Sequence, residues 1–484
     1  MMSDQKYLDE DIVHIYKLGL PHKVENLIAT LFWGDSVKVV GQTGNKIKLE
    51  FSIRKWNPIK KKYEWEVVYG DLAAKVHFRQ QPLLKIKFLD VGQGDSNIIE
   101  TPAGRIIVID GGEGEQLRNY VTTAWAEVFR TKPLDLDAIL VTHGDADHYA
   151  GLTDLLAAKR GYNRPLVNIQ RVYHSGLVKG PDSKKETDKF GGTVQADGRL
   201  YITDLVNDLL GEQNARMNKN FIAWKKALDS ASKLPGFEMR RLAYGDQTGF
   251  DFLDNEGIEV QVLGPITKDI GGIPALPFLH QGKAYSAGHT INGHSVVLRM
   301  TYGNIRFFFG ADMNAESEAE LLTRTRADNL SLASEIIKVP HHGSDDFDPR
   351  LLEAVRPVIS IISSGDENKM SEYIHPRAGL VGALGKYSRA TIERPLIYIT
   401  ETVAFFERVG LAHIYPLTET KQEGQRIETA NAYIKKSYGI VHVRTDGKRV
   451  LVASHSGKPE QKESYAFQVD DEGQIEFEKV KIVN

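Results

Sequence analysis

The residues Thr142-His143-Gly144-Asp145-Ala146-Asp147-His148 follow directly on an apolar run, Asp137-Ala138-Ile139-Leu140-Val141. A short apolar run of this kind reads as a buried strand, so a strand end delivers two imidazoles and two carboxylates into one loop. Such a set can hold a pair of divalent cations. In an extended loop, residues two apart share a side and adjacent ones diverge. His143, Asp145, Asp147 and His148 therefore divide into one pair of ligands for each cation. A helix starting near Asp147 places its free N–H groups beside the site, where phosphate is favoured. The competing reading is an acidic turn whose aspartates cap that helix.

The chain has no cysteine, so only His, Asp and Glu remain as strong ligands. Its 484 residues exceed what one core serves, which predicts one large domain with a smaller appendage. With 41% hydrophobic and 26% charged residues, no apolar run approaching a membrane span and no secretory signal at the N-terminus, a soluble, cytoplasmic protein is expected. The net charge of −3 gives no global attraction to nucleic acid, so a polyanion would need a local patch or the metals themselves.

Residues 1–82 read as short alternating strands at Ser36 to Val40, Lys46 to Phe51 and Trp65 to Tyr69, which predicts a small β-barrel. Between two of these strands, Arg54 to Tyr63 mixes basic and aromatic residues, a combination that can hold phosphates and stack bases or can be a solvated hairpin tip. Residues 83–484 read as layered α/β, with strands at Lys85 to Leu89, Ser96 to Glu100 and Arg105 to Ile109 and a helical segment from Glu115 to Arg130. A polar stretch at about 175–265, with helices expected at Tyr201 to Leu210 and Ala223 to Lys233, reads as an insertion. Strands and helices then resume, and Glu407 to Lys436 shows no clear period.

Four more segments set His or Asp at strand ends. Phe308-Phe309-Gly310-Ala311-Asp312 offers a carboxylate that can bridge two cations, or cap a helix. Lys338-Val339-Pro340-His341-His342-Gly343-Ser344 offers paired imidazoles that diverge, so one ligates and the other faces substrate. Gly288 to Ser295 offers His289 and His294, of which His294 is preferred as a ligand. Tyr373-Ile374-His375-Pro376 offers a site residue or a structural histidine.

Phe88 to Ser96, Val108-Ile109-Asp110-Gly111-Gly112, the His143 to His148 motif, Asn292 to Leu298, Gly310-Ala311-Asp312, Pro340 to Ser344, His375-Pro376 and Val443 to Gly447 together resemble the metallo-β-lactamase-fold hydrolases of the ComEC competence-protein type. The resemblance runs from about Leu84 to the C-terminus, interrupted by the insertion. It implies a four-layered αβ/βα sandwich with a binuclear site at the sheet edge and phosphodiester or nuclease activity. By position it implies His143, Asp147, His148, Asp312 and His342 as ligands, with Asp145 standing where the superfamily usually has His. That extra carboxylate makes Mn²⁺ a rival to Zn²⁺. Asp90, Asp95 and Asp110 fall where residues that orient ligating histidines are expected. ComEC-type channels also carry transmembrane segments, which this chain lacks, so DNA transport does not transfer.

The expected function is a phosphodiesterase or nuclease using a hydroxide activated by two divalent cations, with Asp147 orienting the nucleophile and His341 or His375 donating a proton to the leaving oxygen. The alternatives are hydrolysis of a small ester or phospholipid head group, and a scaffold with a vestigial metal site that recruits a protein partner through the N-terminal domain or the insertion.

Overall fold

The computed structural model describes residues 5–44, 46–57, 62–73, 75–160, 164–181, 183, 185–365, 375–389, 395–401, 405–414, 428–437, 439–455 and 463–483. Two large sheets organise residues 83 onward. The first runs in the order Leu134–Leu136, Val167–His174, Ala138–Val141, Ile106–Ile109, Asn97–Glu100, Leu84–Leu89, Ile440–Thr445, Arg449–His455, Ser464–Val469, Ile475–Glu478. The second runs Ile258–Gly264, Val297–Tyr302, Ile305–Phe309, Ile336–Lys338, Ile359–Ile362, Leu396–Ile399, and its last four strands are parallel.

The strands leading to the site are continuous apolar runs because both their faces are covered. One core joins Ile86, Phe88, Ile107 and Leu140 of the first sheet to Leu298, Phe307, Phe309 and Ile361 of the second. The other face of the first sheet packs on helices Gln116–Ala124, Ala146–Ala157 and Lys219–Ser230. The other face of the second packs on Ala315–Ala327, Pro349–Val355 and Ala378–Tyr387. Leu152, Leu155 and Leu156 bury almost completely. Each contributes about 1.5–3 kcal/mol, enough to pin the helix whose first turn carries Asp147 and His148.

Residues 5–79 supply seven strands of an eight-stranded sheet with its own core, in the order Leu27–Phe32, Ile12–Lys17, Lys62–Ala73, Lys46–Asn57, Ser36–Thr43, Gln5–Leu8, Phe78–Arg79. Ile482–Val483 adds in parallel beside Ile12 and Val13. Among the described residues the two end strands do not pair with each other, so the pairings trace an open path where the sequence pattern predicts a barrel. The tip of the Arg54 to Tyr63 segment, 58–61, lies outside the described residues.

The helix expected at Tyr201 to Leu210 does not form. Arg199–Ile202 is instead a strand of a four-stranded sheet, paired with Thr193–Ala196 and Ile273–Pro277, and only Leu209–Gly211 turns helically. Within 175–265, Ser232–Arg241 joins the first sheet and Ile258–Gly264 edges the second. The described parts of Glu407 to Lys436 belong to the antiparallel pair Phe405–Ile414 and Glu428–Ser437.

Candidate metal centre

The carboxyl ends of parallel strands from both sheets converge on one point. Ala138–Val141 leads into Thr142 and His143, Ile305–Phe309 into Asp312, and Ile336–Lys338 into His341 and His342. The helix Ala146–Ala157 can approach this closely because Gly111 and Gly151 face each other: a Cβ on Gly151 would lie 2.0 Å from the Gly111 carbonyl oxygen. Asp145 holds the N-cap position, yet its side chain does not cap the helix. The motif therefore straddles a loop and a first helical turn, and strict alternation of an extended loop ends at Ala146.

Asp312 Oδ2 is the hub. It lies 3.1 Å from His342 Nε2, 3.3 Å from His148 Nε2 and 4.0 Å from His143 Nε2. His342 Nε2 is also 3.5 Å from Asp147 Oδ2. Among the described residues the potential ligand atoms form four overlapping groups, each compact enough for one ion: His143-His148-Asp312 and Asp147-His148-His342 adjoin at the hub, and Asp95 joins Asp312 and His342 in a third and Asp110 and His148 in a fourth. Nε2 of His143, His148 and His342 and Oδ1 of Asp312 are buried without a hydrogen-bond partner. Buried polar atoms are otherwise almost always satisfied, and a nitrogen and oxygen set of this kind suits a divalent cation. The residues present fit the metal.

Each central imidazole is turned from behind. His148 Nδ1 sits 2.8 Å from Asp110 Oδ2, and Asp110 also accepts from Thr142 N at 2.8 Å and Thr142 Oγ1 at 2.6 Å. His342 Nδ1 sits 3.1 Å from the Ser363 carbonyl oxygen. These contacts leave each Nε2 facing the hub. Burial alone would lower both rings, but Asp312 with Asp110 raises His148, and Asp312 with Asp147 raises His342. His143, buried and beside His148, is pushed down to about 3. Burial would raise Asp312, yet His342 and His148 hold it well below the usual carboxylate range.

His341 and His342 adopt consecutive left-handed backbones, φ 46° and 52°. Such strain costs about 1–3 kcal/mol per residue and concentrates at functional sites. It sends the adjacent rings apart, with centroids 6.2 Å from each other: His342 enters the centre and His341 lines the cleft. With the Asn292 amide turned so that its nitrogen meets Asp145 Oδ2 at 2.9 Å, its oxygen accepts from His341 Nε2 at 3.2 Å. Asp145 also pairs with Lys179 at 2.7 Å and lies outside the compact groups, on the cleft wall. His375 reaches the same cleft, 6.0 Å from His341 between ring centroids.

His294 does not join the centre. Its Nε2 lies 2.7 Å from the Pro277 carbonyl oxygen, buried and pushed down to about 4 by burial. The preference for it over His289 gives way here, because it is the C-cap of Ala287–Gly293 and its ring turns inward. His289 lines the cleft instead, with Nδ1 3.4 Å from Asp346. Sequence reasoning also passed over Asn292 and Lys338 as individuals, although both stand within the quoted motifs.

Residues 89–203 match the sequence profile of the metallo-beta-lactamase superfamily. That superfamily suggests a metal-dependent hydrolase, and the clustered His and Asp residues could hold a metal ion. No curated protein matches the chain. Among the described residues, no helix is long and apolar enough to cross a membrane.

Proposed function

We propose that the protein is a metal-dependent phosphodiesterase of the ComEC-like branch, built as an αβ/βα sandwich over 83–484 with a separate N-terminal domain at 1–82. The observation that carries this reading is Asp312 Oδ2 at 3.1, 3.3 and 4.0 Å from three imidazole Nε2 atoms. His143, His148, Asp312, Asp147 and His342 would hold two divalent cations, Zn²⁺ or Mn²⁺. When bound, such ions lower the pKa of water and offset charge on phosphoryl oxygens.

The chain's own residues supply orientation. Asp147, in the first helical turn at the cleft, would orient the attacking water; burial would raise its carboxyl, but His148 and His342 hold it well below the usual range, which suits accepting a hydrogen bond better than taking a proton. Burial and the nearby His342 and His341 push His375 down to about 4, and burial pushes His341 down as well. Both rings are neutral at pH 7, so they suit holding a phosphoryl or leaving oxygen through an N–H better than delivering a full proton. That revises the expected role of proton donor.

Nucleic acid is the first substrate to test, but the cleft favours a second reading on one observation. With Asp147 and Asp312 given to the cations and Asp145 paired with Lys179, the charged groups left among the described residues that line its roughly 510 Å³ are Glu113, Asp345 and Asp346 against Arg377. An acidic mouth disfavours a polyanionic strand and favours a small phosphodiester such as a phospholipid head group. The Mn²⁺-loaded protein should be assayed on bis-(p-nitrophenyl) phosphate, single- and double-stranded DNA, RNA and a glycerophosphodiester. Hydrolysis of the chromogenic diester is expected. Inertness toward all five, with metal bound, would sink the reading in favour of a partner-binding scaffold.

A further inference from the structure

Lys338 closes the strand Ile336–Lys338 with its side chain 1% exposed. Lysine is almost never fully buried unless paired. Its Nζ lies 2.6 Å from Asp95 Oδ2 and donates to the Val339 carbonyl oxygen at 2.9 Å. Asp95, equally buried, turns its other oxygen toward His342: Oδ1 is 3.2 Å from Nδ1 and forms no hydrogen bond. The Nδ1 proton is already taken by the Ser363 carbonyl oxygen. Asp95 therefore acts on His342 through charge more than through orientation, and Lys338 cancels that charge.

The other central imidazole is backed differently. Asp110, behind His148, is held by the Thr142 N–H and hydroxyl and by His148 itself, with no lysine or arginine among these partners. His148 thus has a carboxylate with no cation among its hydrogen-bond partners directly behind it at 2.8 Å, and His342 has a neutral ion pair at 3.2 Å, while Asp95 also comes within 4.8 Å of Asp110 and His148. A carboxylate behind a ligating imidazole strengthens it as a ligand, and in a buried site a unit charge acts with little screening.

We propose that Lys338 is a positioning residue that sets the charge behind His342, so that the cation held by Asp147 and His342 binds more weakly than the one held by His143 and His148. The inference rests on the two-cation reading of the site and adds to it an inequality between the cations. The weaker position is the one nearest Asp147, which lines the cleft.

The test is calorimetric titration of Mn²⁺ into chelator-stripped full-length protein: wild type, Lys338→Met, Asp95→Asn and the double variant, each checked for folding by circular dichroism. Wild type is expected to show two distinguishable affinities. Lys338→Met should tighten the weaker one about tenfold or more, Asp95→Asn should loosen it by a similar factor, and the double variant, which restores neutrality, should return to within about threefold of wild type. A purely structural role loosens all three. If Lys338→Met fails to fold, loosening in Asp95→Asn with recovery in the double variant still tests the sign. Equal wild-type affinities, single variants moving in one direction, or no recovery in the double variant overturns the proposal. Absence of any Mn²⁺ binding by wild type overturns the metal-centre reading itself and this inference with it.

Discussion

His148 Nδ1 lies 2.8 Å from Asp110 Oδ2, with both side chains fully buried. Asp110 itself sits at φ 58°, a left-handed conformation that asparagine tolerates as well as aspartate does. Asp110→Asn therefore removes the charge without backbone strain. Metal affinity is expected to fall about 10–100-fold, the usual cost of losing such a partner, with little change in melting temperature of the metal-free protein. Competition with a chromogenic chelator measures it, and an unchanged affinity would show that Asp110 matters only for folding.

The neutral rings of the cleft lead to a separate expectation. His375→Ala and His341→Ala each remove an N–H from the substrate side of the hub while leaving Asp312, His143, His148 and His342 in place. Losing a hydrogen bond to a charged oxygen costs about 1.5–3 kcal/mol. The turnover number on a phosphodiester should then fall roughly 10–100-fold with metal content unaltered. Steady-state kinetics beside metal analysis separates this from a ligand loss; a variant that arrives metal-free places its histidine in the centre instead.

Much of the centre was legible because it lies at ends of short apolar strands, and strand ends of a parallel sheet converge whatever the loops do. Asp312, His148 and His342 needed only local pattern. His294 shows the limit: like true ligands it precedes a strand, but it caps the helix Ala287–Gly293 and its ring finds the Pro277 carbonyl, a direction that spacing does not encode. Lys338 was read past because a charged residue closing a strand ordinarily faces solvent, and its partner Asp95 is 243 positions away, the difference of the two residue numbers. The missed strand Arg199–Ile202 has a different origin: it folds back on Thr193–Ala196 across the two-residue turn Asp197-Gly198, both at positive φ, a hairpin signal that the local sequence carried, and only its other edge pairs with Leu276 and Pro277 from a distant segment.

Gly94 constrains the ligand loop from the other side. Its φ is +111°, and a Cβ there would lie 2.0 Å from the Asp147 carbonyl oxygen. Backbone cannot yield as a flexible side chain does, so Gly94→Ala displaces the turn that carries Asp147 and His148. Destabilisation of more than about 2 kcal/mol is expected from strain and clash together, with metal binding lost. Gly104, at φ +84° with open space around it, is the control: Gly104→Ala pays for backbone strain alone and keeps its metal. Equal behaviour of the two variants in urea melts would dispose of the steric argument.

Arg444 ties the N-terminal sheet to the first large sheet. Its Nη1 donates to the Phe32 and Trp33 carbonyl oxygens at 3.1 and 2.8 Å and lies 2.7 Å from Asp35 Oδ1. Burial would raise Asp35, but the charges of Arg444 and Lys85 outweigh it and hold the carboxyl well below its ordinary value. A folded pKa below the unfolded one, about 3.9, contributes stability that is present above that unfolded value and is lost as pH falls through the folded one. Arg444→Met removes most of the depression and leaves two carbonyls without their donor. At pH 7 the variant should be about 2 kcal/mol less stable, below the range for breaking a fully buried pair because Asp35 is 23% exposed and Lys85 remains 3.7 Å from it. The gap from wild type should begin to narrow as pH falls below about 4, where the unfolded chain's carboxyl takes up its proton while the folded one stays charged, and should go on narrowing further into acid. Urea unfolding of the metal-free proteins at several pH values measures the gap, and a difference that stays constant into acid would show that the carbonyl contacts, not the Asp35 charge, hold the two sheets together.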